Sequence, residues 1–176
     1  MPKSSFENRI IRAAMLDSNL YEEVEADKSA LGQAMAIVVL ASIAAGIGLY
    51  KTSGFNGIII GTMASLVSWY VWAFLTYYIG TKFLPEPQTE ADIGELLRTI
   101  GFASSPGLLR VFYFIPGIGV VVSLISSLWM LVAMIIAVRQ ALDYNSTLRA
   151  IGVCVIGYIF QIFVLVLIFS IFGGAN

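Results

Sequence analysis

Histidine is absent from the 176 residues. With it go the usual general base, the serine-histidine nucleophile pair and the commonest transition-metal ligand. Cysteine occurs once, as Cys154, so no disulfide can form within the chain. Charge is scarce: 12% of residues are Asp, Glu, Lys or Arg, and none falls in Ser29–Tyr50, Thr52–Thr81, Val111–Val138 or Ala150–Asn176. About 20 such residues suffice to cross a hydrocarbon core of roughly 30 Å. The period-two segments of about ten residues that a membrane barrel requires are missing. No glycine-rich phosphate loop follows a strand, since GFASSPG and PGIG read as bend and turn elements. Enzymatic readings therefore lose most of their support.

What is present is apolar. Hydrophobic residues make up 59% of the chain, and the mean hydropathy is +0.88. Both lie outside the range of soluble domains and point to an all-α, polytopic membrane helical bundle. Residues 1–28 hold ten of the 21 charged side chains and no long apolar core, so no cleavable signal is expected and the first span serves as its own. They form a cytoplasmic segment with two parts. In SSFENRIIRAAML, Ser4 and Glu7 stand at capping-box spacing, and Phe6, Ile10, Ala13, Ala14 and Leu16 gather on one side. This predicts a short basic amphipathic helix, resting on headgroups or packed on a partner. In the second part Asn19 and Glu22 repeat the capping spacing, and the helix is expected to run on into the first span. There Glu22, Glu23 and Glu25 give either a face for a basic cytoplasmic partner or a solvated helix start.

Residues 29–172 form the membrane domain, with five spans expected at about 31–50, 57–80, 96–115, 117–138 and 150–172, followed by a short tail, 173–176. The third span, within LLRTIGFASSPGLLRVFYFIPGIG, is the hydrophobic segment that contains charge. Arg98 lies at one end, Arg110 must snorkel or find a partner at the other, and Pro106 removes a backbone hydrogen bond and should bend the helix. Five crossings place eight of the ten Lys and Arg residues on the side of the amino terminus, against seven if the third segment re-enters. The expectation is therefore an amino terminus inside and a carboxyl terminus outside.

Gly57, Gly61 and Ser65 recur every four positions and suit close helix approach, within a bundle or across a homo-oligomer seam. Trp69, Trp72 and Trp129 sit mid-span, as packing residues or as rings lining a hydrophobic ligand. A polar seam collects Arg98, Thr99, Ser104, Ser105, Arg110 and Gln161. Arg98 and Arg110 are candidate contacts for lipid phosphates; the plainer alternative pairs Arg98 with Glu95. Glu86, Glu90, Asp92 and Glu95 read as a solvated loop that ends in a helix start near residues 89–91. No cofactor, metal or nucleic acid is expected, and the partners are membrane lipids and other integral membrane proteins or further copies of the chain.

Three stretches occur in a specific order: LYEEVEADKSALGQAMAIVVLASIAAGIG, ADIGELLRTIGFASSPGLLRVFYFIPGIG and LWMLVAMIIAVRQALDYNSTLRAIGVCVIGYIF. Together they resemble the prokaryotic branch of the Yip family, named for eukaryotic membrane proteins that interact with Ypt/Rab GTPases. The resemblance implies five spans and a cytoplasmic amino terminus. The Asp-Leu-Tyr-Gly-Pro signature of the eukaryotic relatives is missing here, with Leu20-Tyr21 in the comparable place, so GTPase binding is not carried over. Three functions follow as expectations. The first is a non-enzymatic membrane scaffold or accessory subunit within a complex. The second is a small carrier or lipid-handling protein with an anion site near Arg98 and Arg110. The third is a Yip-type adaptor for membrane organisation and trafficking.

Overall fold

Long unbroken apolar runs fold as helices because every backbone polar group is then satisfied within its own segment. The computed structural model describes residues 4–48 and 50–172, and among these there are seven α-helices and no strand. They are α1 (Phe6–Ala14), α2 (Ser18–Ala26), α3 (Leu31–Gly48), α4 (Tyr50–Tyr78), α5 (Ile93–Ala103), α6 (Gly119–Ala141) and α7 (Thr147–Phe172). Residues 173–176, the expected tail, lie outside the described residues.

Among the described residues three helices are long and apolar enough to cross a membrane: Lys28–Gly48, Gly54–Phe83 and Gly119–Ala141. Gly54 has φ 61° and ψ −171°, a conformation open in practice to glycine, and it kinks α4 near its start. In α7 the residues Thr147–Phe163 form a shorter apolar helix, and the backbone continues helical to Phe172.

Residues 96–115 do not form one bent helix. α5 ends at Ala103, and a 3₁₀ segment, Ser105–Phe114, follows. Pro106 stands in the first turn of that segment, where a missing N–H leaves no bond unmade, so it opens a second element rather than kinking the first. Ten residues of 3₁₀ geometry are unusual. Ser126 Oγ holds this one in place by donating to the Pro106 carbonyl at 2.8 Å. The two pieces run beside α3 along its length. A Cβ built on Gly101 would lie 2.6 Å from the Ala34 Cβ, one on Gly107 3.2 Å from the Ala41 Cβ, and one on Gly48 2.7 Å from the Tyr113 Cβ.

Helix starts differ by a residue or more from their expected places. Ser5, not Ser4, caps α1, accepting from the Asn8 N–H at 3.3 Å. Asp17, not Asn19, caps α2, and Asp92 with Glu95 makes a complete capping box at α5. α2 does not run into α3 either: Asp27 accepts from the Ser29 N–H at 3.1 Å and starts a 3₁₀ turn, Lys28–Ala30, in which the chain changes direction.

α1 and α2 form a hairpin seated in the bundle rather than a helix lying free on headgroups. Ala13, Leu20, Tyr21 and Val24 have no exposed surface and share a core with Ala34, Ile37, Phe102, Ala103, Ala133 and Ala137. Trp129 Nε1, on α6, donates to the Ala14 carbonyl at 2.8 Å. A second core gathers Trp72, Leu96, Ile100, Val138, Leu142 and Val153. Within the chain Gly46 meets Ile58, whereas Gly61 is exposed with nothing within 4 Å of its Cβ position; Gly57 and Ser65 are half-buried.

Candidate functional site

Between α3 and α4 on one side and α6 and α7 on the other lies a groove of about 900 Å³, within the ~300–1,000 Å³ range of small-molecule sites. It brings together several residues singled out from sequence. Arg110, Gln161, Trp69, Trp72, Ser65 and Ser104 all line it. Ser42, Ser68, Ser127 and Tyr158 add hydroxyls, the rest of the wall is apolar, and many lining residues face outward: Leu128, Val155 and Ile159 are 64%, 52% and 62% exposed.

Most polar groups in the groove are spoken for. Gln161 Nε2 donates to Ser68 Oγ at 2.7 Å, joining α7 to α4. Trp69 Nε1 donates to the Leu97 carbonyl at 3.1 Å, and Trp72 Nε1 points at Met134 Sδ, 3.3 Å away. The Trp72 ring meets Tyr158 edge to face at 5.8 Å, a geometry suited to packing. Arg110 is different. One Nη2 N–H goes to Ser127 Oγ at 3.0 Å, while Nε is shut off from solvent and has no partner.

Arg98 is elsewhere and does other work. It is 5% exposed, and its Nε donates to the carbonyls of Val24 (3.0 Å) and Glu25 (3.1 Å), with Nη2 also donating to Glu25. These are orphan carbonyls in the last turn of α2, so Arg98 is a C-cap delivered from another helix. Its bonds do not go to Glu95, whose carboxylate accepts from the Asp92 N–H at 2.7 Å. Arg110 lines the groove and Arg98 does not.

Glu22, Glu23 and Glu25 do not share one free face. Glu23 turns towards α1, where Ser4 Oγ, Arg9 Nε and Arg12 Nη1 donate to it at 2.8, 3.0 and 2.5 Å. Arg9, 1% exposed, also donates to Asp27 Oδ2 and Gln33 Oε1, both at 2.9 Å, and so ties α1, α2 and α3 together. Nothing in the spacing singled out Arg9 for this role. Glu22 and Glu25 instead line a polar chamber of about 480 Å³ with Glu95, Arg139 and Asp143.

Burial in that chamber, with Asp143, Glu95 and Glu22 adding repulsion and Arg98 opposing it, pushes the Glu25 carboxyl up to about 7. The folded state thus holds this proton more tightly than the unfolded chain. The resulting penalty is absent below the ordinary value of 4.5, grows as pH rises, and is complete above about 7. Glu25→Gln should therefore raise Tm at pH 8 and leave it nearly unchanged at pH 4.5, measured by tryptophan fluorescence in detergent.

Leu20 and Tyr21, the pair in the position of the eukaryotic signature, are core residues, and the Tyr21 hydroxyl donates to the Ala13 carbonyl at 3.4 Å. Neither the curated proteins nor the solved structures provided a match to this chain. The Arg98-capped α2, the α5–3₁₀ pair beside α3 and most of the groove lie between residues 18 and 169, the stretch matched by the family model described as the Yip1 domain, and the chain therefore belongs to the Yip1 domain family of membrane proteins.

Proposed function

We propose that the chain is a non-enzymatic membrane scaffold of the prokaryotic Yip branch, an accessory subunit that seats another integral membrane protein against α4. The observation that carries this reading is the bareness of that helix. Only 11% of its most apolar window is buried inside the protein, against 33% for the span containing α3. Gly61 has open space around it, and its neighbours along the helix, Ile60 and Met63, are 68% and 62% exposed. In lipid, apolar burial gives little drive for association, and a small residue that lets a neighbouring backbone come close is what a partner helix uses.

The same reading has the chain cross a bacterial cytoplasmic membrane five times, starting inside and ending outside. The stepwise contacts Gly101 with Ala34, Gly107 with Ala41 and Tyr113 with Gly48 support a third passage made of α5 and the 3₁₀ segment. Irregular backbone at membrane depth is tolerated where protein surrounds it, and every residue from Leu96 to Ala103 is buried. A membrane-organising adaptor is the variant favoured by family membership; a GTPase could not read Leu20 and Tyr21 without opening the core.

Purification in mild detergent should recover a stoichiometric companion protein, lost on changing Gly61 to Leu. A solitary monomer in every detergent and in lipid discs would count against the scaffold. A reporter fused after Asn176 and probed from outside intact cells tests the topology.

A further inference from the structure

No Asp or Glu occurs between Asp27 and Glu86, between Glu95 and Asp143, or after Asp143. α3 and α4 fall wholly in the first gap, the 3₁₀ segment and α6 in the second, and α7 in the third. The carboxylates therefore belong to the amino-terminal hairpin and to the loops beside it, where Glu25, Glu95 and Asp143 share one chamber. Arg110 lies at the opposite end of α3: a Cβ on Gly48, the last residue of that helix, would sit 2.8 Å from the Arg110 carbonyl oxygen.

Arg110 thus has no acid side chain within reach, and its solvent-excluded Nε–H is unmatched. A guanidinium among apolar helices is costly unless an anion pairs with it, and this chain has no side chain to supply one there. Ser127, its partner among the described residues, stands eight positions beyond Gly119, roughly 12 Å along α6 at 1.5 Å per residue. An anion that reaches the guanidinium must therefore enter sideways, below the level where the helix begins. The groove allows that. Its lining includes exposed Leu128, Val155 and Ile159 on helices whose natural solvent is lipid, together with the hydroxyls of Ser127, Ser104 and Ser68.

We propose that the groove holds one anionic phospholipid, its phosphate on the half-buried Arg110 guanidinium and one acyl chain laid against Met134, Val155 and Ile159. The charge selects the headgroup and the apolar wall takes the chain. The proposal does not depend on a protein partner at α4, so a failed search for a companion leaves it standing.

The test is native mass spectrometry of the full chain in nonionic detergent, titrated separately with dioleoyl phosphatidylglycerol, dioleoyl phosphatidylcholine and inorganic phosphate. A single phosphatidylglycerol should be retained about tenfold more tightly than phosphatidylcholine, as a charge-assisted contact implies. Arg110→Gln should abolish that preference, Arg110→Lys should keep most of it, and Ile159→Trp, which fills the groove, should weaken both lipids alike. Equal retention of the two lipids by the native chain overturns the proposal, as does phosphatidylglycerol binding unchanged in Arg110→Gln. Should that variant not fold, identical lipid retention in Ile159→Trp and the native chain overturns it instead. Inorganic phosphate held as tightly as the lipid also overturns it. So does a dimer that Ile159→Trp dissociates without any lipid-bearing monomer, which would give the groove to a second copy.

Discussion

Replacing Arg9 by methionine is expected to destabilise the folded chain by about 3–5 kcal/mol, the usual result of removing one partner from a buried ion pair. Tm in detergent should fall by roughly 6–20 °C. The size follows from what is left behind. Glu23 and Asp27 lose a guanidinium 3.0 and 2.9 Å away, and Gln33 loses its donor on α3. Glu23 and Asp27 keep only 28% and 12% of their side-chain surface exposed, so little water can replace the guanidinium. Burial tends to raise the Glu23 carboxyl, but hydrogen bonds from Ser4, Arg12 and Arg9 outweigh it and hold it below the ordinary range, as Arg12 does for Asp17. The folded-state values being depressed, this network contributes stability above the ordinary carboxylate range and loses it as pH falls through the lowered values. The Arg9→Met deficit should accordingly be largest near neutral pH and shrink in acid. Neutralising the partners together, as Arg9→Met with Glu23→Gln and Asp27→Asn, should recover much of the loss. A single variant as stable as the native chain at pH 7 would show that the hub contributes nothing.

Arg98→Met is the second large effect. It leaves the Val24 and Glu25 carbonyls without the donor that closes α2, at about 1–3 kcal/mol for each group left buried and unpaired. Limited proteolysis should then cut between α2 and α3, near Asp27 and Lys28, where the native chain resists. Phosphatidylglycerol retention should be unaffected, because Arg98 is absent from the groove lining. This separates the two arginines experimentally: loss of lipid with an intact hairpin belongs to Arg110, and loss of the hairpin with lipid intact belongs to Arg98. Arg98→Lys should recover part of the stability, since an ammonium can reach one carbonyl but lacks the planar fork that serves both.

Helix type and the apolar runs were legible because membrane solvent leaves a chain few alternatives. The groove was legible in part. Arg110 and Gln161 stood out as polar groups in apolar helices, and both line it. Ser68 and Ser127, their partners, carried no mark of their own, since serine is common in membrane helices and the pairing joins positions 93 and 17 residues apart. The charge of Arg98 marks it in the sequence, but its acceptors are not marked. Local spacing offered Glu95, three residues away, while the actual acceptors are carbonyls 73 and 74 residues upstream. Cap positions slipped for a similar reason: Ser4 sits beside Ser5, and only tertiary contact with Glu23 decides which hydroxyl is left to cap α1. Charge patterning within residues 1–28 held one unused hint. Arg9 and Arg12 precede a run of acids by about the length of a short helix hairpin, which would let the two sets neutralise each other.

The hairpin's dependence on distant helices has a consequence for biosynthesis. Tyr21 leaves the ribosome early, yet its pocket includes Ala133 and Ala137, more than a hundred residues later. At about 5–20 residues per second, the first two helices wait roughly 6–25 s before the surface that receives them exists. During that interval Leu20, Tyr21 and Val24 are uncovered on the emerging chain. Nascent chains stalled before α6 should therefore be bound by chaperones through their first 26 residues, and that association should vanish once α6 has been made.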